Sequence, residues 1–161
     1  MGEAFINFLP LAKKRNLSYT IELPREPVIA MADEEALYKI FSNLFSNAVK
    51  YAGGSVHVQL LPPAKENNCF RVEISNDGYI IPADMKEKIF EPFYRLRETI
   101  KQKGTGIGLA LARSLAELHN GKLLLVNTKP NVNTFVLEIP LRPVEKTAAK
   151  QKKNTLLFHS K

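Results

Sequence analysis

"DEEALYKIFSNLFSNAVKYAGG" (Asp33–Gly54) decides the fold, because it encodes a long helix with two differently furnished faces. Asp33 has the chemistry of an N-cap, its carboxylate positioned to accept from the backbone three residues on, at Ala36. The helix runs to about Tyr51, where Gly53-Gly54 stops it. At 100° per residue, Leu37, Ile40, Phe41, Leu44, Phe45 and Ala48 fall within an arc of about 140°, the expected core face. Asn43, Asn47 and Lys50 fall within about 60° of one another beside that arc. Two carboxamides and an ammonium on successive turns suit a metal–phosphate group, since amide oxygens are hard ligands for Mg²⁺. Spacing alone also fits an ordinary solvated face, as every amphipathic helix has one.

Working outward, Ala4 to Arg15 has helical spacing, and Leu17–Leu23 and Pro27–Met31 read as short strands around a "PREP" turn. Strands are expected at Ser55–Leu61 and Cys69–Ser75, separated by the polar "PPAKENN" loop. Ala83–Phe90 behind Pro82 reads as a short helix. Gly106–His119 reads as another helix, closed by Asn120-Gly121, and strands Lys122–Asn127 and Thr134–Leu141 follow. Strands and helices mix without strict βαβ alternation. The expected fold is therefore an α/β two-layer sandwich, with one mixed sheet of about five strands on about three helices. Residues 1–141 form the expected domain, its first 16 residues part linker and part helix, and 142–161 a basic linker or tail.

The chain has 161 residues, enough to bury a real core, and 45% of them are hydrophobic. No apolar run approaches the roughly 18–20 residues that span a bilayer. One cysteine, Cys69, excludes an internal disulfide and a cysteine-rich zinc site. The net charge is +7, but residues 142–161 hold six cations against Glu145, which is +5, and leave +2 for the body. That distribution is a charged tail on a nearly neutral domain and argues against nucleic-acid binding.

"KGTGIGLALA" (Lys103–Ala112) places Gly104, Gly106 and Gly108 just before a helix. Glycines there let backbone N–H groups approach phosphate oxygens, and the helix N-terminus favours negative charge. The triplet does not follow a strand, as a dinucleotide fingerprint would, and lacks the Gly-Lys-Ser/Thr ending of a P-loop. It follows a loop carrying Arg95, Arg97, Lys101 and Lys103 against Glu98. A cationic, glycine-ended loop is what a lid over a polyphosphate requires. Leu96–Lys103 is expected to bury no apolar area without a ligand.

Taken in order, these pieces resemble a known family. "NLFSNAVKYA" (Asn43–Ala52) looks like the N box of sensor histidine kinases, "NDGYIIP" (Asn76–Pro82) their G1 box, "IFEPFYR" (Ile89–Arg95) their F box, and "GTGIGLALA" (Gly104–Ala112) their G2 box. The resemblance covers about residues 4–141. It implies a Bergerat-type fold that binds ATP and Mg²⁺ between the N-box helix and the lid. By that resemblance Asn47 is the main Mg²⁺ ligand with Asn43 assisting, and Lys50 meets a phosphate; these three are the implied catalytic residues. Tyr51 would lie against the base or sugar, Asn76 and Gly78 at the adenine, and Gly104, Gly106 and Gly108 at the phosphates and hinge. Arg97, Lys103, Thr105, Ile107 and Leu109 complete the implied ATP site. Phe90 and Phe93 would anchor the base of the lid by packing.

Two positions depart from the family's Asp-x-Gly-x-Gly. Aligned through Gly78 and Pro82, the adenine-binding Asp is Asn76 and the second glycine is Ile80. Alternation supports the register: Phe70, Val72, Ile74 and Asn76 share the covered face, while Arg71, Glu73, Ser75 and Asp77 share the other. Asn76 can still accept from the adenine amino group, without charge assistance, at a cost of about 1 kcal/mol. Ile80 leaves the conformation after Gly78 open, since a β-branched residue does not visit positive φ cheaply.

ATP-hydrolysing relatives carry a Glu four residues before the metal Asn; here that position is Asn43, which has no useful basicity. Phosphoryl transfer to a supplied histidine fits better. His57, His119 and His159 are not followed by the acidic residue of a phosphoacceptor box, so the chain reads as a catalytic piece that does not phosphorylate itself. The implied partners are a histidine-bearing dimerisation domain and, through it, a response regulator. The implied location is cytoplasmic, with no direct membrane contact, though the parent could be anchored in the inner membrane. The alternatives are a degenerate nucleotide-binding module without kinase activity and an anti-sigma-type serine kinase on the same fold.

Overall fold

The computed structural model describes residues 6–63, 68–97, 102, 104–127, 129–141 and, as backbone, 154–158. The chain forms α1 (Leu9–Lys14), β1 (Ser18–Glu22), β2 (Val28–Ala32), α2 (Glu34–Tyr51), β3 (Ser55–Leu61), β4 (Cys69–Asn76), α3 (Gly108–Leu118), β5 (Lys122–Val126), β6 (Asn133–Pro140) and β7 (Asn154–Phe158). Five strands pair in the order β1-β3-β4-β6-β5. Only β1 and β3 are parallel; β3–β4, β4–β6 and β6–β5 are antiparallel. The expected two-layer sandwich with a mixed, mainly antiparallel sheet is the one observed.

Alternation sets which sheet face is covered. Val56, Val58 and Leu60 of β3 and Phe70, Val72 and Ile74 of β4 are buried, with more accessible residues between them. Against that face α2 packs Leu37, Ile40, Phe41, Leu44, Phe45 and Ala48, and α3 adds Ala112 and Ala116. Apolar burial of this kind stabilises by about 25 cal/mol per Å². The other face carries Arg71, which is ion-paired to Glu73 and Glu138.

Both ends of α2 are fixed. Asp33 accepts the Ala36 N–H at 3.0 Å, as its sequence position predicts. At the far end Arg15 donates to the carbonyls of Val49, Lys50 and Ala52. His119, at the end of α3, donates from Nδ1 to Leu115 O and accepts the Asp33 N–H at Nε2. It therefore ties α3 to the cap of α2, a role beyond the favourable helix-end dipole.

The structure departs from expectation in four places. Strand β2 leaves the main sheet and pairs antiparallel with β7, so the described residues form two sheets and not one. Pro24 and Pro27, which have no N–H for a ladder, turn the chain off the edge at β1. β7 lies inside the stretch expected to be linker, where "NTLLF" supplies an extended apolar run. Ala83–Phe90 is two 3₁₀ turns, Ala83–Met85 and Lys88–Phe90, instead of one helix. Finally, α3 begins at Gly108 and not Gly106, because Gly106 has φ +76° and cannot lie inside a right-handed helix.

Candidate functional site

A cavity of about 300 Å³ opens between α2, the ends of β4 and β6, and the segment leading into α3. From α2 it receives Asn43, Asn47, Lys50 and Tyr51, and from the facing segment Gly104, Thr105, Gly106, Gly108 and Leu109. Asn76 enters from the end of β4. The sequence named all ten. The polar stripe of α2 thus faces a cavity and not open water.

Contacts across the cavity are close. The Asn43 amide donates from Nδ2 to Lys39 O at 2.9 Å, which turns Oδ1 toward Gly108. A Cβ at Gly108 would lie 2.7 Å from that Oδ1, and a Cβ at Gly104 would lie 2.7 Å from Lys50 Nζ. Any larger residue at either position would fill the space between helix and segment. The Lys50 ammonium also lies 4.7 Å from the centroid of the Tyr51 ring, within cation–π range.

The segment before α3 is held by backbone acceptors. Phe93 N–H donates to Gly106 O at 3.0 Å, and Arg95 donates to Gln102 O. Phe90, expected to anchor the base of a lid by packing, packs edge-on to Phe135 and beneath the Arg113 guanidinium. Phe93 does not anchor it by packing. Its side chain is 73% exposed, and its φ of +67° turns the ring outward while the N–H reaches Gly106. Leu96 packs against the core, contrary to the expectation that the stretch buries no apolar area. Residues 98–101 and Lys103 lie outside the described residues. Arg97 is exposed and, like Gly78 and Ile107, is not among the residues lining the cavity.

The turn after β4 explains the two neighbouring polar residues. Asn76 is 4% exposed and faces the cavity. Asp77 points the other way, and its Oδ1 accepts the N–H groups of Gly53, Gly54 and Ser55, each at 2.9 Å. Burial pushes the Asp77 carboxyl up, but these three bonds outweigh it and hold its pKa below the ordinary value. Gly78 passes so close behind α2 that a Cβ there would sit 1.8 Å from Tyr51 O. Ile80 is not among the positive-φ residues, so its branched side chain introduces no left-handed strain.

Asn133 holds the chain after Gly78, and the sequence reading missed it. It is the register partner of Asn76 and is 2% exposed. Its Oδ1 accepts from Ile81 N at 3.0 Å and its Nδ2 donates to Tyr79 O at 2.8 Å. The available signal was a carboxamide just before a largely apolar strand, a group that must be hydrogen-bonded where it is buried.

A mixed sheet under helices, with a polar cavity between the longest helix and a glycine-flanked segment, defines an α/β sandwich of the Bergerat type. A family model described as histidine kinase-, DNA gyrase B- and HSP90-like ATPase matches residues 32–143, and the chain belongs to that family. The catalytic domain of histidine kinase ThkA superposes with a TM-score of 0.76 at 30% identity, covering 88% of this chain and 90% of that one. Hybrid signal transduction histidine kinase D of Dictyostelium discoideum is 34% identical over 83% of this chain. Sensor protein kinase WalK of Staphylococcus epidermidis is 29% identical over 81% of it. The chain spans 9% and 22% of those two proteins, respectively. Among the described residues no helix is long and apolar enough to cross a membrane.

Proposed function

We propose that this domain binds ATP with Mg²⁺ in the cavity and transfers the γ-phosphoryl group to a histidine on a separate dimerisation domain. The observation that carries the reading is the approach of Asn43, Asn47 and Lys50 to Gly104–Gly108 across one cavity. The donor set fits the metal: two carboxamides four residues apart offer hard oxygen ligands, and Asn43 Oδ1 is held facing the glycine segment. Bound there, Mg²⁺ would neutralise charge on the terminal phosphates. Lys50 would meet a phosphate oxygen, the N–H groups around Gly104–Gly108 would donate to others, and Asn76 would read the base, with Tyr51 along base or sugar.

Asn43 stands where a hydrolytic relative would need a general base, which favours transfer over hydrolysis. Phosphoryl transfer depends mostly on positioning and charge neutralisation, so a site without an in-domain base suffices. The phosphorylated domain would pass the group to a response regulator, in the cytoplasm where ATP is available. In this reading residues 1–141 are the catalytic unit and 142–161 a basic extension contributing β7.

Calorimetric titration with Mg²⁺-ATP tests the binding. Saturable binding by the wild type and near-complete loss in Asn47→Ala are expected; wild-type silence at millimolar ATP would overturn the reading. Labelled phosphate passing to an added dimerisation domain as an acid-labile product tests the chemistry. An acid-stable product would instead indicate serine phosphorylation.

A further inference from the structure

Among the described residues, those lining the cavity include two cations, Lys50 and Arg95, and no carboxylate. The purine end is therefore read by a neutral group. Asn76 is the candidate: it is buried, it ends β4 at the cavity, and among the described residues no hydrogen-bond partner fixes its amide in one orientation. Its nearest competitor, Asn133, has both amide atoms engaged by Ile81 N–H and Tyr79 O. Asn133 therefore holds the loop and leaves the base to Asn76.

A carboxamide carries a donor and an acceptor side by side, whereas a carboxylate only accepts. Against adenine, the amide oxygen accepts from the 6-amino group and the NH₂ donates to ring N1. Against a 6-oxopurine the polarity of the edge reverses: O6 accepts and N1–H donates. A half-turn of the Asn76 amide matches that reversed edge equally well. A carboxylate aimed at the 6-position accepts from an amino group there but meets O6 acceptor to acceptor, a mismatch that the turned amide avoids.

We propose that the cavity accepts 6-oxopurine nucleoside triphosphates as well as ATP, with Asn76 the residue that permits both. The proposal rests on the nucleotide reading of the cavity given above. Titrating the full chain with ATP and with inosine triphosphate, each with Mg²⁺, tests it. Inosine triphosphate differs at the 6-position and lacks the 2-amino group of guanine, so steric exclusion is not confounded with edge polarity. Wild-type affinities within about tenfold of each other are expected, and Asn76→Asp should raise the ATP-to-ITP affinity ratio by about tenfold or more. Tight ATP binding with ITP weaker by more than about tenfold overturns the proposal while leaving the ATP site standing. An unchanged ratio in a folded Asn76→Asp protein overturns it as well. If neither nucleotide binds, the nucleotide reading itself fails. Circular dichroism establishes whether the variant folds; if it does not, the wild-type comparison decides alone.

Discussion

Asp77 uses one oxygen to gather three consecutive backbone N–H groups where α2 gives way to β3, while Asn76 beside it faces the cavity. Hydrogen bonds to a charged acceptor contribute about 1.5–3 kcal/mol, and the exposure of Asp77 lowers that, so Asp77→Ala should cost about 1–2 kcal/mol in urea unfolding at neutral pH. The pH sign follows from its depressed folded pKa. Its contribution is present above the unfolded value of about 3.9 and is lost as pH falls through the folded pKa. The gap between wild type and Asp77→Ala should therefore close in acid; a gap that stays constant to pH 2 would refute this origin. Gly78→Ala is a harsher change, because the new Cβ would meet Tyr51 O, a backbone atom, at 1.8 Å. Such overlap is relieved only by moving β4 away from α2, so a loss of about 3 kcal/mol or failure to fold is expected. The alternation of β4 made the inward Asn76 and outward Asp77 legible in the sequence. The partners of Asp77 were not, since they lie 22 to 24 residues away.

Helix α2 was readable almost to the residue, because its cap, its apolar arc and its glycine stop are all local. Its second anchor was hidden: Arg15 reaches the Val49, Lys50 and Ala52 carbonyls from 34 or more residues away. Periodicity describes faces, not which distant side chain satisfies the last carbonyls of a helix. Arg15→Ala should cost about 1–2 kcal/mol and increase hydrogen exchange in the last turn of α2, where Lys50 and Tyr51 sit. Arg15→Lys should recover only part of this, because one ammonium lacks the planar fork that reaches several carbonyls. Full recovery by Lys would argue for charge alone. The pairing of β2 with β7 was likewise illegible, since composition marked the surrounding stretch as a charged tail. With residues 142–161 removed, amides of Val28–Ala32 that pair with β7 should exchange faster, while those of the five-stranded sheet keep their protection.

At the scale of the molecule, four parts of the chain that are distant in sequence wall one cavity: α2, the β4 turn, the segment before α3 and the start of β6. The first three were legible because each carries its own chemistry, amides on a helix, a polar turn or a glycine triplet. The fourth was not, because Asn133 matters only through its register with Asn76, and register belongs to the assembled sheet. A ligand that touches Asn43, Asn47 and Lys50 together with Gly104–Gly108 would join α2 to α3 through a segment otherwise held by the Phe93–Gly106 and Arg95–Gln102 bonds. Such a ligand binds the folded chain and not the unfolded one, so at about 100 times its Kd it should add about 2.7 kcal/mol of stability. For a domain of this size that corresponds to a rise in Tm of several degrees. Mg²⁺-ATP should produce that rise in the wild type and not in Asn47→Ala, measured by scanning calorimetry at fixed ligand concentration. Equal shifts in both proteins would mean that the nucleotide binds somewhere other than this cavity.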